Sequence, residues 1–216
     1  ALLTLWVRQH VPESERWRAA RQGTTRVPLR TALGGSMWSI TLTLIVMNGC
    51  VLFAYWGLNT FLPSFLMAPP AKGGPGLDRN LMSLLVAANQ FGTWSGFMTF
   101  GVVSDQLGRR RTCISYLSVA AVLLWVYTTV REPWVLMTLG PLASFFTTGY
   151  FASFGELTAE LYPTSARASA QGIAYNMGRL VSAVSPWVVG ALAERAGYGA
   201  GVAAAACGFA VAALLW

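Results

Sequence analysis

The stretch Gly101–Arg111, GVVSDQLGRRR, decides how this chain folds. It joins two apolar runs, Leu81–Val103 and Cys113–Val130, and Arg109, Arg110 and Arg111 stand side by side where the runs meet. A helix needs about 20 apolar residues to cross a hydrocarbon core of ~30 Å. Both runs are near that length, and the link between them is short. Short cytoplasmic loops retain arginine and lysine, so the stretch reads as a cytoplasmic turn between two antiparallel spans. Asp105 and Gly108 complete the turn.

The rest of the composition agrees. Of 216 residues, 55% are hydrophobic and only 11% are charged, against about 25% charged in soluble domains. The class is an all-α, polytopic membrane protein. A net charge of +7 raises nucleic acid as a partner. The arginines lie in short loops between apolar runs, however, and not on a solvated face, so the partner indicated is the lipid bilayer. Cys50, Cys113 and Cys207 fall in separate runs and read as small packing residues. The chain opens on ALLTLWV without an initiator Met and stops inside the apolar run Gly199–Trp216. Both ends suggest a piece of a longer membrane protein.

Three regions follow: residues 1–7, the end of a helix; residues 8–37, a polar segment with six arginines; and residues 38–216, a bundle of six spans. The spans are expected at about 38–66, 81–103, 113–130, 134–158, 168–193 and 200–216. Loops 8–37, 104–112 and 159–167 hold ten basic residues, and the opposite side holds Lys72, Arg79, Arg131 and Arg195. The first three loops are therefore assigned to the cytoplasm.

Polar residues inside the spans point to a pathway. Arg179 lies twelve residues beyond Arg167, about 18 Å along a helix and just past the midplane. A charge there costs at least ~2.5–3.5 kcal/mol, so it should face the bundle interior or water. Gln171, Tyr175, Arg179 and Ser182 share one helix face, with Asn176 beside it. Contact with a substrate or gate and a structural clamp paired to an acid elsewhere are both open readings of Arg179. Asn48, Tyr55 and Asn59 repeat the pattern on the first span, and Asn89 and Gln90 supply paired amides on the second. Gly92 and Gly96 have the spacing of close helix packing. Glu156 and Glu160 end the fourth span one turn apart. Glu156 is expected in a cytoplasmic salt-bridge network, with proton carriage as the alternative. Spans three and six contain no amide or charge and are expected outside a pathway lined by the other four.

No catalytic constellation appears, so an enzyme is not indicated. His10 is the only histidine and has no ligand-spaced neighbours, and the sequence has no phosphate-cradling GxxxxGK[ST] loop. Neither cofactor nor metal is called for.

GVVSDQLGRRR resembles the loop between the eighth and ninth helices of the major facilitator superfamily, G-x-x-x-D-x-x-G-R-R. Gly101, Asp105, Gly108, Arg109 and Arg110 match it. VPESERW, Val11–Trp17, is similar to the PESPR segment after the sixth helix of sugar porters, departing at Glu15. ELYPTSARASAQG, Glu160–Gly172, resembles the E-x-x-P-T-x-x-R signature between the tenth and eleventh helices. YNMGR, Tyr175–Arg179, looks like the eleventh helix of sialate and aromatic-acid:proton symporters. The resemblance implies the C-terminal half of such a transporter, the end of helix six plus helices seven to twelve, with the N-terminal half as its missing partner. It also implies a cytoplasmic gate network of Asp105, Arg109 and Arg110 with Glu160, Arg167, Glu13 and Arg16.

The expected function is secondary active transport of a small polar or anionic metabolite. Organic acid:proton symport by alternating access, in a bacterial inner membrane and driven by the proton gradient, is the leading form. Asn48, Tyr55, Asn89, Gln90, Tyr175, Asn176 and Arg179 are the expected pathway residues. A sugar porter or uncoupled facilitator is the nearest alternative. A ligand sensor that moves nothing is the alternative of another class.

Overall fold

The computed structural model describes Trp6, residues 34–163 and residues 166–216, and every regular element among them is helical. In chain order these are α1 (Ser36–Met67), a 3₁₀ turn (Pro70–Lys72), α2 (Arg79–Leu107), α3 (Arg109–Thr129), α4 (Pro133–Leu161), α5 (Arg167–Ser182), α6 (Ser185–Ala196) and α7 (Tyr198–Leu214). Apart from Trp6, residues 1–33 lie outside the described residues.

Local chemistry sets the boundaries. Asp78 caps α2, its carboxylate accepting from the Asn80 N–H at 3.2 Å. Proline opens α4 at Pro133, where its missing N–H costs nothing. The arginine turn is shorter than a loop over 104–112. α2 runs through Asp105 to Leu107, α3 starts at Arg109, and Gly108 alone reverses the chain. Its φ of 86° is a conformation that glycine adopts without a Cβ penalty.

The segment expected as one span over 168–193 is two helices. Ala183 and Val184 separate α5 from α6. Pro186 has no N–H to offer the Ser182 carbonyl four residues back, so the ladder breaks there. By length and composition, α1 from Met37, α3 and α4 suit a membrane crossing. α2 has the 29 residues of α4 but is diluted by Asn89, Gln90, Thr93 and Ser95. α7 is apolar with 17 residues, roughly 25 Å long.

Small residues bring the helices together. α2 lies on α4, and a Cβ added at Gly92 or Gly96 would meet the backbone of Pro141 or Phe145. α5 lies on α1 through Ala170, Ala174, Gly178 and Ser182, its buried stripe. Added Cβ atoms at Gly49 and Gly178 would meet Val181 at 3.3 Å and the Gly49 nitrogen at 3.0 Å. α3 and α7 pack on each other and lie behind α4 and α1, while α1, α2, α4 and α5 form the other row. Polar links tie the rows internally. The Thr148 hydroxyl donates to the Thr93 carbonyl at 3.3 Å, and the Ser185 hydroxyl donates to the Phe53 carbonyl at 2.6 Å. The outer surface stays apolar, with Trp94, Met98, Val122, Trp125 and Trp134 exposed. Such an exterior suits lipid as solvent.

Candidate functional site: two polar cavities and an ion-pair cluster

Tyr55, Asn59, Asn89, Gln90, Thr93, Ser144 and Thr147 line a pocket of about 40 Å³ between α1, α2 and α4. Proline chemistry helps to shape it. Pro63, inside α1, also borders the pocket, and its missing N–H leaves the Asn59 carbonyl without a helical donor. The Asn59 amide turns back to the Tyr55 carbonyl at 2.8 Å. Tyr55 packs edge-on against Phe151, ring centroids 4.9 Å apart, and Phe151 packs against Phe97 at 6.4 Å. Three expected pathway residues, Tyr55, Asn89 and Gln90, are thus brought together. The lining side chains carry no formal charge, so the pocket offers hydrogen bonds only.

Arg179 stands apart from it. The side chain is exposed in an open groove of about 300 Å³ with Trp56, Thr60, Ser182, Ala183 and Pro186. The break between α5 and α6 creates this setting. Arg179 occupies the last turn of α5, where the partial negative charge of a helix C-terminus favours a cation. The first turn of α6 begins beside the same groove, and a helix N-terminus favours anions. Among the described residues no acid pairs with Arg179.

The other expected pathway residues are placed differently. Asn48 is fully buried, and its amide donates to the Tyr175 carbonyl at 3.2 Å where Gly49 and Gly178 let α1 and α5 touch. In this conformation its described contact is an interhelical one, between α1 and α5. Tyr175 is half-buried, its ring 5.6 Å from Phe154. Asn176 is exposed and donates to the Gly172 carbonyl of its own helix at 2.7 Å.

At the arginine-turn end, Arg109 bridges two acids of α4. Its guanidinium contacts the Glu156 carboxylate, and its Nε lies 2.7 Å from Glu160. The pairs are half-exposed, so each contributes on the order of 0–1 kcal/mol. Asp105 and Arg110 are exposed and make no ion pair among the described residues, and neither does Arg167. Glu13 and Arg16 lie outside the described residues. Arg109, Arg110 and Glu160 also edge a cavity of about 510 Å³ with Ser39, Thr43 and Trp216.

Sequence reasoning missed Trp56 and Thr60 as neighbours of Arg179, Phe151 as the ring packed against Tyr55, and Tyr127. For Tyr127 a signal existed: a hydroxyl inside a span has to find a partner or remain unsatisfied.

Comparison with known proteins identifies the family. The family model described as Major Facilitator Superfamily matches residues 44–216, from within α1 to the last residue. The chain belongs to the Major Facilitator Superfamily. It is 32% identical over 208 residues to a "probable 4-methylmuconolactone transporter" of Cupriavidus pinatubonensis, covering 91% of this chain and 45% of that one. It is 25% identical over 188 residues to the sialic acid transporter of Escherichia coli strain K12, covering 86% and 44%. Among solved structures, the peptide transporter POT with alafosfalin superposes with a TM-score of 0.72 at 16% identity, covering 88% of this chain and 41% of that one. That likeness concerns the fold. The chain spans less than half the length of each of these relatives. Superfamily membership and the apolar helices make it an integral membrane protein of a transporter family, not an enzyme.

Proposed function

We propose that the chain forms the C-terminal half of a secondary active transporter that carries a small organic acid together with protons by alternating access, in a bacterial inner membrane. One observation carries the anion: Arg179 and the first turn of α6 meet at one groove of about 300 Å³, with no acid paired to the arginine among the described residues. Both groups favour a carboxylate. Relatives named for 4-methylmuconolactone and sialic acid support that substrate class. The pocket of Tyr55, Asn89 and Gln90 supplies hydrogen bonds to the uncharged part of the substrate. Arg109 with Glu156 and Glu160, joined by Asp105, Arg110, Arg167, Glu13 and Arg16 in one state of the cycle, holds the cytoplasmic gate. Pairs this exposed bias an equilibrium and still break in every cycle.

A sugar or other neutral substrate is the second reading, favoured by the absence of charge around the polar pocket. The discriminating experiment is uptake by the intact protein in proteoliposomes, with labelled sialic acid and 4-methylmuconolactone tested against unlabelled acids and neutral sugars. Competition by acids alone supports the proposal. Competition by sugars alone replaces it with the second reading, and ligand binding without flux favours a sensor.

A further inference from the structure

We infer that one water molecule bridges Asn89 on α2 to Tyr127 on α3, and that this bridge makes Tyr127 a positioning residue for Asn89. Asn89 and Tyr127 are 5% and 1% exposed. The Asn89 carboxamide oxygen and the Tyr127 hydroxyl are both sealed from solvent without a hydrogen-bond partner among the described residues. The two side chains line the same small cavity, with Ser144 of α4 as a further polar group and Leu58, Leu62 and Leu124 on its apolar side. Its space for the centre of a water molecule is about 10 Å³, the lower limit for holding one water.

The chemistry matches. A hydroxyl and a carbonyl oxygen are a donor and an acceptor that do not meet each other, and a water accepts from one while donating to the other. Left dry, each would carry the cost of an unpaired buried polar group. Gly140 makes the arrangement possible. A Cβ there would collide with the Asn89 oxygen, so only glycine lets the amide reach the cavity. Asn89 borders the larger pocket as well, beside Tyr55 and Gln90. The terminal torsion of an asparagine is broad, and a bridge to Tyr127 fixes which way the amide faces. A helix whose span beyond the arginine turn holds no amide or charge thereby acts on the polar pocket. The bridge stands on the cavity alone; its effect on substrate rests on the transport reading above.

Tyr127→Phe, Asn89→Leu and the double variant, made in the intact protein and melted in detergent, test the bridge. A bridged hydroxyl predicts that Tyr127→Phe lowers the melting temperature by roughly 2–4 °C, and that the double variant loses less than the sum of the singles. A dry cavity predicts the reverse sign, because phenylalanine removes an unpaired hydroxyl, and additive shifts; that result overturns the inference. In proteoliposomes, Tyr127→Phe is expected to raise KM for sialic acid or 4-methylmuconolactone by roughly threefold or more with Vmax nearly unchanged. A lowered melting temperature with unchanged KM would show a purely structural tyrosine and overturn the positioning role. A wild type that takes up neither probe overturns the transport reading, and the melting comparison still decides the bridge.

Discussion

Arg179 concentrates the functional argument in one side chain. Its place in the last turn of α5 contributes about 0.3–1 kcal/mol through the helix dipole. That is well short of the ~2.5–3.5 kcal/mol that a mid-membrane arginine costs, a gap that the proposed anionic substrate would help to close. Arg179→Gln is therefore expected to lower kcat/KM for acid uptake at least tenfold, about 1.4 kcal/mol, with normal insertion. Arg179→Lys should restore only part of it, since an ammonium lacks the guanidinium's bidentate fork. Wild-type kinetics in both variants would make the arginine dispensable. Asn48 gives the opposite expectation. Its bond to the Tyr175 carbonyl is worth about 0.6–1.7 kcal/mol between membrane helices, so Asn48→Ala should lower the melting temperature and leave KM alone. A clear KM change would return Asn48 to the pathway.

At the scale of elements, the contact of α2 with α4 is the least tolerant. Gly92 and Gly96 press directly on the backbone of Pro141 and Phe145, which cannot rotate away as a side chain could. Gly92→Ala or Gly96→Ala should cost about 1–3 kcal/mol by overpacking, visible as reduced melting temperature and yield; unchanged stability would mean that the helices lie further apart. The spacing of these glycines made this contact legible in the sequence, as hydropathy and the arginine turn did the bundle. The break at Ala183 was legible only in principle. Pro186 stood in the sequence, but a hydrophobic run of transmembrane length hid it. Asn48 and Asn89 look alike as amides in apolar helices, and the sequence has no means of separating them. The difference arises from their surroundings: the Asn48 amide donates to the Tyr175 carbonyl of α5, while Asn89 borders a cavity that Tyr127 also lines. Arg109 was expected in the gate by its motif. Its pairing with Glu156 as well as Glu160 depends on the one-residue turn at Gly108, which sets α3 directly against the end of α4.

At the scale of the whole molecule, the helices divide the tasks. The polar pocket and the Arg179 groove lie on the row of α1, α2, α4 and α5 with α6, and the ion pairs at the arginine-turn end join α3 to α4. Arg109→Ala removes both ion pairs at once. Because each is partly exposed, the loss of stability should be small, below about 2 kcal/mol in sum, while the balance between open and closed gate shifts. Labelling of a cysteine placed at Ser39, on the cavity that Arg109 borders, is expected to speed up in that variant; an unchanged rate would separate these pairs from gating. Movement of an organic acid together with protons through this protein is the proposal at stake. Its most direct measurement is uptake of labelled sialic acid and 4-methylmuconolactone by the intact protein in proteoliposomes under an imposed inward proton gradient, with and without a protonophore. Proton-coupled transport gives accumulation that collapses when the protonophore is added and whose initial rate Arg179→Gln lowers at least tenfold. Flux of either acid that persists unchanged without the gradient would contradict it.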